Sequence, residues 1–180
     1  MNDDGLRELR VNAVELLRQP GAIKEIDATV SAHALDIEHS ALSGDVTVAV
    51  ELEAINDGIT VRGTVSAPWT GACRRCLQDL SGVIRARVDE LYQTTVTDDE
   101  AFPIENNQLD LAPMARQTAL LELGEERLCR VDCAGLCPVC GIDRNAAGDG
   151  GAWGGIAACD CDTTVRDDRW AALEGLRFDE

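Results

Sequence analysis

Cysteine is the residue type in this chain whose spacing can do chemistry. Six of the eight cysteines fall between positions 129 and 161, as Cys129-Arg-Val-Asp-Cys133-Ala-Gly-Leu-Cys137-Pro-Val-Cys140-Gly141 and, after a glycine-rich run, Cys159-Asp-Cys161. The other two form a close pair, Cys73-Arg74-Arg75-Cys76. A tetrahedral zinc ion takes four soft ligands, and thiolates gathered by short spacers supply them. Two residues between Cys137 and Cys140 let both sulfurs face one ion. Gly141 then gives the tight turn of a zinc knuckle its backbone freedom.

Eight thiols make at most two four-ligand sites. One grouping sets Cys137, Cys140, Cys159 and Cys161 around one ion and leaves Cys73, Cys76, Cys129 and Cys133 for a second. The other places a single zinc in the C-terminal stretch and leaves Cys73 and Cys76 as a reduced pair. Spacing does not choose between them, so the expected cofactor is zinc, one or two ions. Other uses of sulfur fit less well. The spacings match neither of the usual ferredoxin runs. A thioredoxin-like pair belongs at a helix N-terminus in a βαβ setting, whereas Cys73 and Cys76 are flanked by strand patterns. Catalytic zinc keeps an open position beside three protein ligands; here cysteines are in surplus, which favours closed, structural sites. The isolated His33 and His39 lie away from the clusters. The glycines at 148 to 155 lead into neither Gly-Lys-Ser nor Gly-Lys-Thr, so no phosphate loop is expected. No enzyme activity and no small-molecule substrate are expected.

The elements that must hold these thiols are legible in the apolar pattern. Residues 1–20 read as a short helical or mixed start, with Leu6, Leu9, Val14 and Leu17 on one side and Pro20-Gly21 as the break. Ile26, Ala28, Val30 and Ala32 alternate with polar residues as a strand does. Val46, Val48, Val50 and Leu52, then Ile59, Val61, Gly63 and Val65, predict a hairpin turning at Asn56-Asp57-Gly58, residues able to take positive φ. A third strand is predicted from Val83 to Tyr92, with Arg85 and Arg87 outward. The Cys73/Cys76 pair thus falls in a connection between strands. A polar stretch over 93–108 reads as a loop. A helix follows from Leu109, with Asp110 as its cap and Pro113 in its first turn. Leu111, Met114, Ala115, Thr118 and Leu121 would face the sheet, and Gly124 would end it. A last short helix is expected with Trp170, Leu173 and Leu176 on one side. The expected fold is α+β: an antiparallel β-sheet with a packed helix and a C-terminal Cys-rich zinc-knuckle module. The expected domains are 1–124, carrying the first Cys pair, and 125–180.

Net charge is −17, and an acidic chain repels nucleic acid at long range. Residues 57–88 run against that trend, with Arg62, Arg74, Arg75, Arg85 and Arg87 opposed only by Asp57 and Asp79. These five arginines are the candidate RNA-binding residues; the competing reading is a solvated strand face. The first residues carry no basic region followed by an apolar one, and no apolar run is long enough for a bilayer, so a cytoplasmic protein without a membrane partner is expected. In a reducing cytoplasm, metal explains eight cysteines better than structural disulfides do.

Several of these segments, in this order, resemble the YceD-like family. They are Pro68-Trp-Thr-Gly-Ala-Cys-Arg-Arg-Cys76, the strand ending Asp89-Glu-Leu-Tyr92, and Leu109-Asp-Leu111 opening a helix. Leu128-Cys-Arg-Val-Asp-Cys-Ala-Gly-Leu-Cys-Pro-Val-Cys-Gly141 with Asn145, and Asp168-Arg-Trp170 with Leu173 and Leu176, complete the set. The resemblance covers roughly residues 9–177 and is closest to the actinobacterial and Gram-positive form, in which the C-terminal cysteines are present. It implies a large ribosomal RNA subunit accumulation protein. That means a ribosome-biogenesis factor supporting synthesis, processing or stability of 23S rRNA, with rRNA or large-subunit ribosomal proteins as partners. The alternative is a zinc-stabilised protein–protein adaptor without direct RNA contact.

Overall fold

A computed structural model describes residues 4–97, 99–147 and 159–161. The predicted helix around Trp170, Leu173 and Leu176 lies outside the described residues. The chain divides into two compact units. One is Met1–Gly71 with Asp79–Glu126; the other is Ala72–Gln78 with Arg127–Glu180. The sequence-based division at 124 assigned the first Cys pair to the sheet. Here Ala72–Gln78 clusters instead with the C-terminal segment, because the sulfurs of Cys73 and Cys76 lie beside those of Cys133 and Cys129.

The first unit is α+β. Its elements are α1 (Asp4–Glu8), β1 (Arg10–Asn12), α2 (Ala13–Leu17), β2 (Ile23–Val30), β3 (Val46–Ile55), β4 (Gly58–Ala72), β5 (Asp79–Gln93), β6 (Phe102–Pro103), β7 (Gln108–Asp110) and α3 (Ala112–Leu123). The main sheet runs β2-β3-β4-β5-β6; β2 and β4 are antiparallel to β3, and the short β6 adds in parallel. A two-stranded sheet pairs β1 with β7. Among the described residues, no helix is long and apolar enough to cross a membrane.

The alternation that predicted the strands becomes the buried face. Val46, Val48, Val50, Leu52 and Ala54 of β3, Ile59, Val61 and Val65 of β4, and Ile84 and Val88 of β5 all enter the core. Helix α3 packs against β5 and β3 through Met114, Ala115, Ala119 and Leu123, with Leu111 buried just before it. Positions 111, 115, 119 and 123 make one stripe at four-residue spacing. Leu121 is off that stripe and 69 % exposed, so its predicted place on the sheet is corrected. Asp110 does serve the helix start, although Leu111 occupies the capping position: its carboxylate accepts from the amide of Ala112 at 2.9 Å. Gly124 ends the helix with right-handed dihedrals, φ −71°, so its special freedom is unused there. Tyr92 is buried at the end of β5, stacked on Phe102 with ring centroids 5.1 Å apart, and its hydroxyl donates to the carbonyl of Asp110.

The hairpin turns at Asn56-Asp57 as expected, but these two residues keep negative φ. The unusual backbone falls on Gly58, φ 158°. Gly63, opposite Val50, has φ 155° and lies so close to β3 that a Cβ there would meet the carbonyl of Ala49 and the Cα of Val50. β4 then runs on to Ala72 and β5 begins at Asp79, so Cys73 and Cys76 occupy the connection between two long strands.

Candidate metal centres

The second unit is built from two knuckles with one backbone pattern. In the first, the amide of Cys73 donates to the carbonyl of Gln78 at 2.8 Å and Leu77 N–H donates back to the carbonyl of Cys73 at 2.9 Å. In the second, Cys137 N–H donates to the carbonyl of Ile142 at 2.8 Å and Gly141 N–H to that of Cys137 at 2.9 Å. Each turn needs a left-handed residue right after its second cysteine. Gly141 fills that place with φ 73°; Leu77 fills it with φ 62°. The glycine signals the second knuckle in the sequence. The leucine hides the equivalence of the first, since a Cβ carries a cost in this region that glycine escapes.

The thiols gather into two groups of four. Cys73, Cys76, Cys129 and Cys133 form one; Cys137, Cys140, Cys159 and Cys161 form the other, and within each the sulfurs all lie within 4.8 Å of one another. This is the two-site grouping weighed from sequence, and Cys159 and Cys161 take part despite the long glycine-rich spacer. All eight cysteines are unbridged. In the first group Cys73 Sγ lies 3.8 Å from Cys133 Sγ, and Cys76 Sγ lies 3.6 Å from Cys129 Sγ. A disulfide needs about 2.05 Å. Four sulfurs held about 2.3 Å from one tetrahedral ion stand about 3.8 Å apart along each edge. The donor set therefore fits a single tetrahedral metal ion in each group, and the spacing is too close for ligands spread around a multi-iron cluster.

The groups differ in their surroundings. In the first, Cys73, Cys76 and Cys133 are buried and Cys129 is half-buried; in the second, only Cys137 is buried, and Cys140 is exposed. Within each group the thiols differ in acidity. Burial opposes ionisation of Cys73, but the backbone amides of Cys76, Cys129 and Arg75 outweigh it and bring the thiol down to about 6. The amides of Cys140 and Val139 bring Cys137 down to about 6. Burial and the neighbouring Cys133 and Cys76 sulfurs push Cys129 up to about 12. The Cys140 sulfur and burial do the same to Cys161, to about 12. Each group thus offers one ready thiolate and at least one proton to displace, the electrostatics of anionic sulfurs crowded together without a cation.

The candidate RNA-binding arginines fall on both units. In the first, Arg62, Arg85 and Arg87 are exposed along β4 and β5. Arg62 Nε donates to Asp89 at 3.0 Å and its Nη1 lies 3.7 Å from Glu53, so carboxylates of neighbouring strands meet its charge. In the second, Arg74 and Arg75 are exposed on the first knuckle, and Arg75 Nη1 donates to the carbonyl of Cys133 at 2.9 Å.

The family model of the large ribosomal RNA subunit accumulation protein YceD matches residues 61–177, a stretch holding every cysteine. The uncharacterized protein Rv2926c of Mycobacterium tuberculosis (strain ATCC 25618 / H37Rv) is 33% identical over 144 residues, covering 74% of this chain and 70% of its own length. The uncharacterized protein ML1660 of Mycobacterium leprae is 28% identical over 134 residues, covering 69% of this chain and 62% of its own. No solved structure matches the chain.

Proposed function

Since this chain belongs to the YceD family, which is named for accumulation of the large-subunit ribosomal RNA, we propose that it is a non-enzymatic ribosome-biogenesis factor. It supports the synthesis, processing or stability of 23S rRNA in the cytoplasm. The family match over residues 61–177 carries this reading.

The two four-cysteine groups hold zinc, one ion each. Bound zinc supplies a closed tetrahedral cross-link with all four positions taken by thiolates. The chain's own residues do the rest. Cys73 and Cys137, with the most acidic thiols, present the first thiolates to an incoming ion. The cross-link fixes the first knuckle, and with it Arg74 and Arg75, which contact rRNA phosphate or a large-subunit protein. Arg62 contributes little, being already met by Asp89 and Glu53. That pairing, with the net charge of −17, also favours a second reading: a zinc-stabilised adaptor that recruits basic ribosomal proteins and never touches RNA.

Sucrose-gradient sedimentation of a strain depleted of the protein tests the function. A selective loss of large subunits, restored by the wild-type chain, is expected; an unchanged subunit ratio refutes the proposal. Complementation with R74E/R75E, and pull-down with and without ribonuclease, separate the two readings. Partners that survive ribonuclease and the double substitution favour the adaptor.

A further inference from the structure

Asn145 follows the second knuckle but reaches the first cysteine group. Its own segment holds it firmly. Asn145 N–H and Nδ2 both donate to Asp143 Oδ1, at 2.9 and 2.7 Å, and Arg144 N–H donates to the carbonyl of Gly135 at 2.9 Å. Its side-chain oxygen accepts from Ala134 N at 2.7 Å and from Arg130 Nη2 at 3.0 Å. Both partners can only donate, which fixes which end of the amide is oxygen. The NH2 end then donates to Cys133 Sγ at 3.4 Å. The side chain thus spends both oxygen lone pairs and both N–H groups in this one pose. The knuckles are also joined by backbone: Leu136 N–H donates to the carbonyl of Arg75 at 3.0 Å. Gly135, φ 71°, passes so close that a Cβ would lie 3.0 Å from that oxygen.

We propose that Asn145 is a positioning residue for the first metal site: its amide donates to the Cys133 thiolate, so that metal affinity there depends on the second knuckle, which holds Asn145 in place. The inference rests on the zinc reading above. A thiolate bound to a divalent ion keeps much of its negative charge, and an N–H aimed at it disperses that charge and orients the sulfur. Aspartate has the same shape and the same acceptor but no donor, and it sets a second carboxylate against Asp143 Oδ1; alanine has neither donor nor acceptor and adds no charge.

The test titrates the full-length chain with Co2+ against a competing chelator, following the thiolate-to-cobalt charge-transfer band. Wild type is expected to bind two ions. N145D should weaken one of them by about 10- to 100-fold and move its band to lower energy, because the thiolate loses the hydrogen bond that stabilised its electrons. N145A should weaken the same ion. N145A, which adds no charge beside Asp143, should shift the band the same way; were Asn145 only the acceptor that caps the Ala134 amide, N145A would weaken the ion and leave the band unmoved. The C137S/C140S variant removes the second knuckle's ligands; it should weaken the remaining site, and adding N145D should weaken it little further. An N145D chain with two wild-type affinities and an unmoved band overturns the proposal, as does a first site indifferent to C137S/C140S. A wild-type chain that takes up neither cobalt nor zinc overturns the zinc reading itself.

Discussion

At the scale of single residues, the eight thiols set how metal uptake depends on pH. In the first group Cys129 stands at about 12, and Cys76 is also raised: the Gln78 amide favours its thiolate, but burial and the Cys73 sulfur prevail. In the second, Cys161 stands at about 12, and Cys159 is raised chiefly by the Cys137 sulfur. All four raised thiols keep their protons at neutral pH, and a metal must displace them. Raised ligand pKa values therefore make affinity climb with pH, and at least two protons leave per ion. Apparent affinity for zinc should rise at least about 100-fold per pH unit between roughly pH 7 and 9. Chelator competition at a series of pH values measures the slope, and proton release is read independently from calorimetry in buffers of different ionisation enthalpy. A slope near one proton per ion would contradict this account of the sulfurs.

At the scale of elements, the two knuckles share their hydrogen bonds but not their key residue, and this asymmetry is testable. Leu77 is 65 % exposed, so its side chain gives little packing in return for its left-handed backbone. L77G should stabilise the first knuckle by about 0.5–1 kcal/mol, the left-handed cost of about 1–2 kcal/mol less the extra chain entropy of glycine. G141V should do the reverse in the second knuckle and cost about 1–3 kcal/mol. Denaturant unfolding of the metal-loaded variants, followed through the cobalt band, reads both. The same comparison shows what the sequence could disclose. Strands β3, β4 and β5 were legible because one buried face imposes strict alternation on valine and isoleucine. The knuckle at Cys137–Cys140 was legible through its glycine. Leu77 gave no such signal, because nothing in a leucine marks it for positive φ. Helix α3 was legible, but its face was not fully so. Leu121 is as apolar as Leu111, and only the four-residue stripe of Leu111, Ala115, Ala119 and Leu123, half of it alanine, shows which side is buried. Asn145 was visible as a motif residue, but its reach to Cys133 depends on a fold-back that no local pattern encodes.

At the scale of the whole molecule, the two units are stabilised by different physics. The first buries a broad aliphatic core across β2 to β5 and α3. Among the described residues of the second, the buried hydrophobic positions are Cys73, Cys76, Cys133 and Cys137, while the aliphatic Leu128, Leu136 and Ile142 are only half-buried. A segment that buries sulfur and little else gains too little from the hydrophobic effect to offset the entropy of ordering its backbone. On the zinc reading metal supplies the difference, since structural zinc in small modules contributes about 10–16 kcal/mol of apparent binding energy at neutral pH. Removing it should dismantle one unit and spare the other. After chelation under reducing conditions, the strand signal in circular dichroism should persist, because β2 to β5 owe nothing to the thiols. Trypsin should then cut at Arg127, Arg130 and Arg144, side chains within reach of the protease once the backbone around them is no longer held folded, while Arg62 and Arg87, within paired strands, stay intact. Returning zinc should restore the protection, most completely above neutral pH, where the thiols yield their protons most readily. If the metal-free, reduced chain shields residues 127–147 as well as the loaded one does, something other than a metal–thiolate cross-link holds the second unit together.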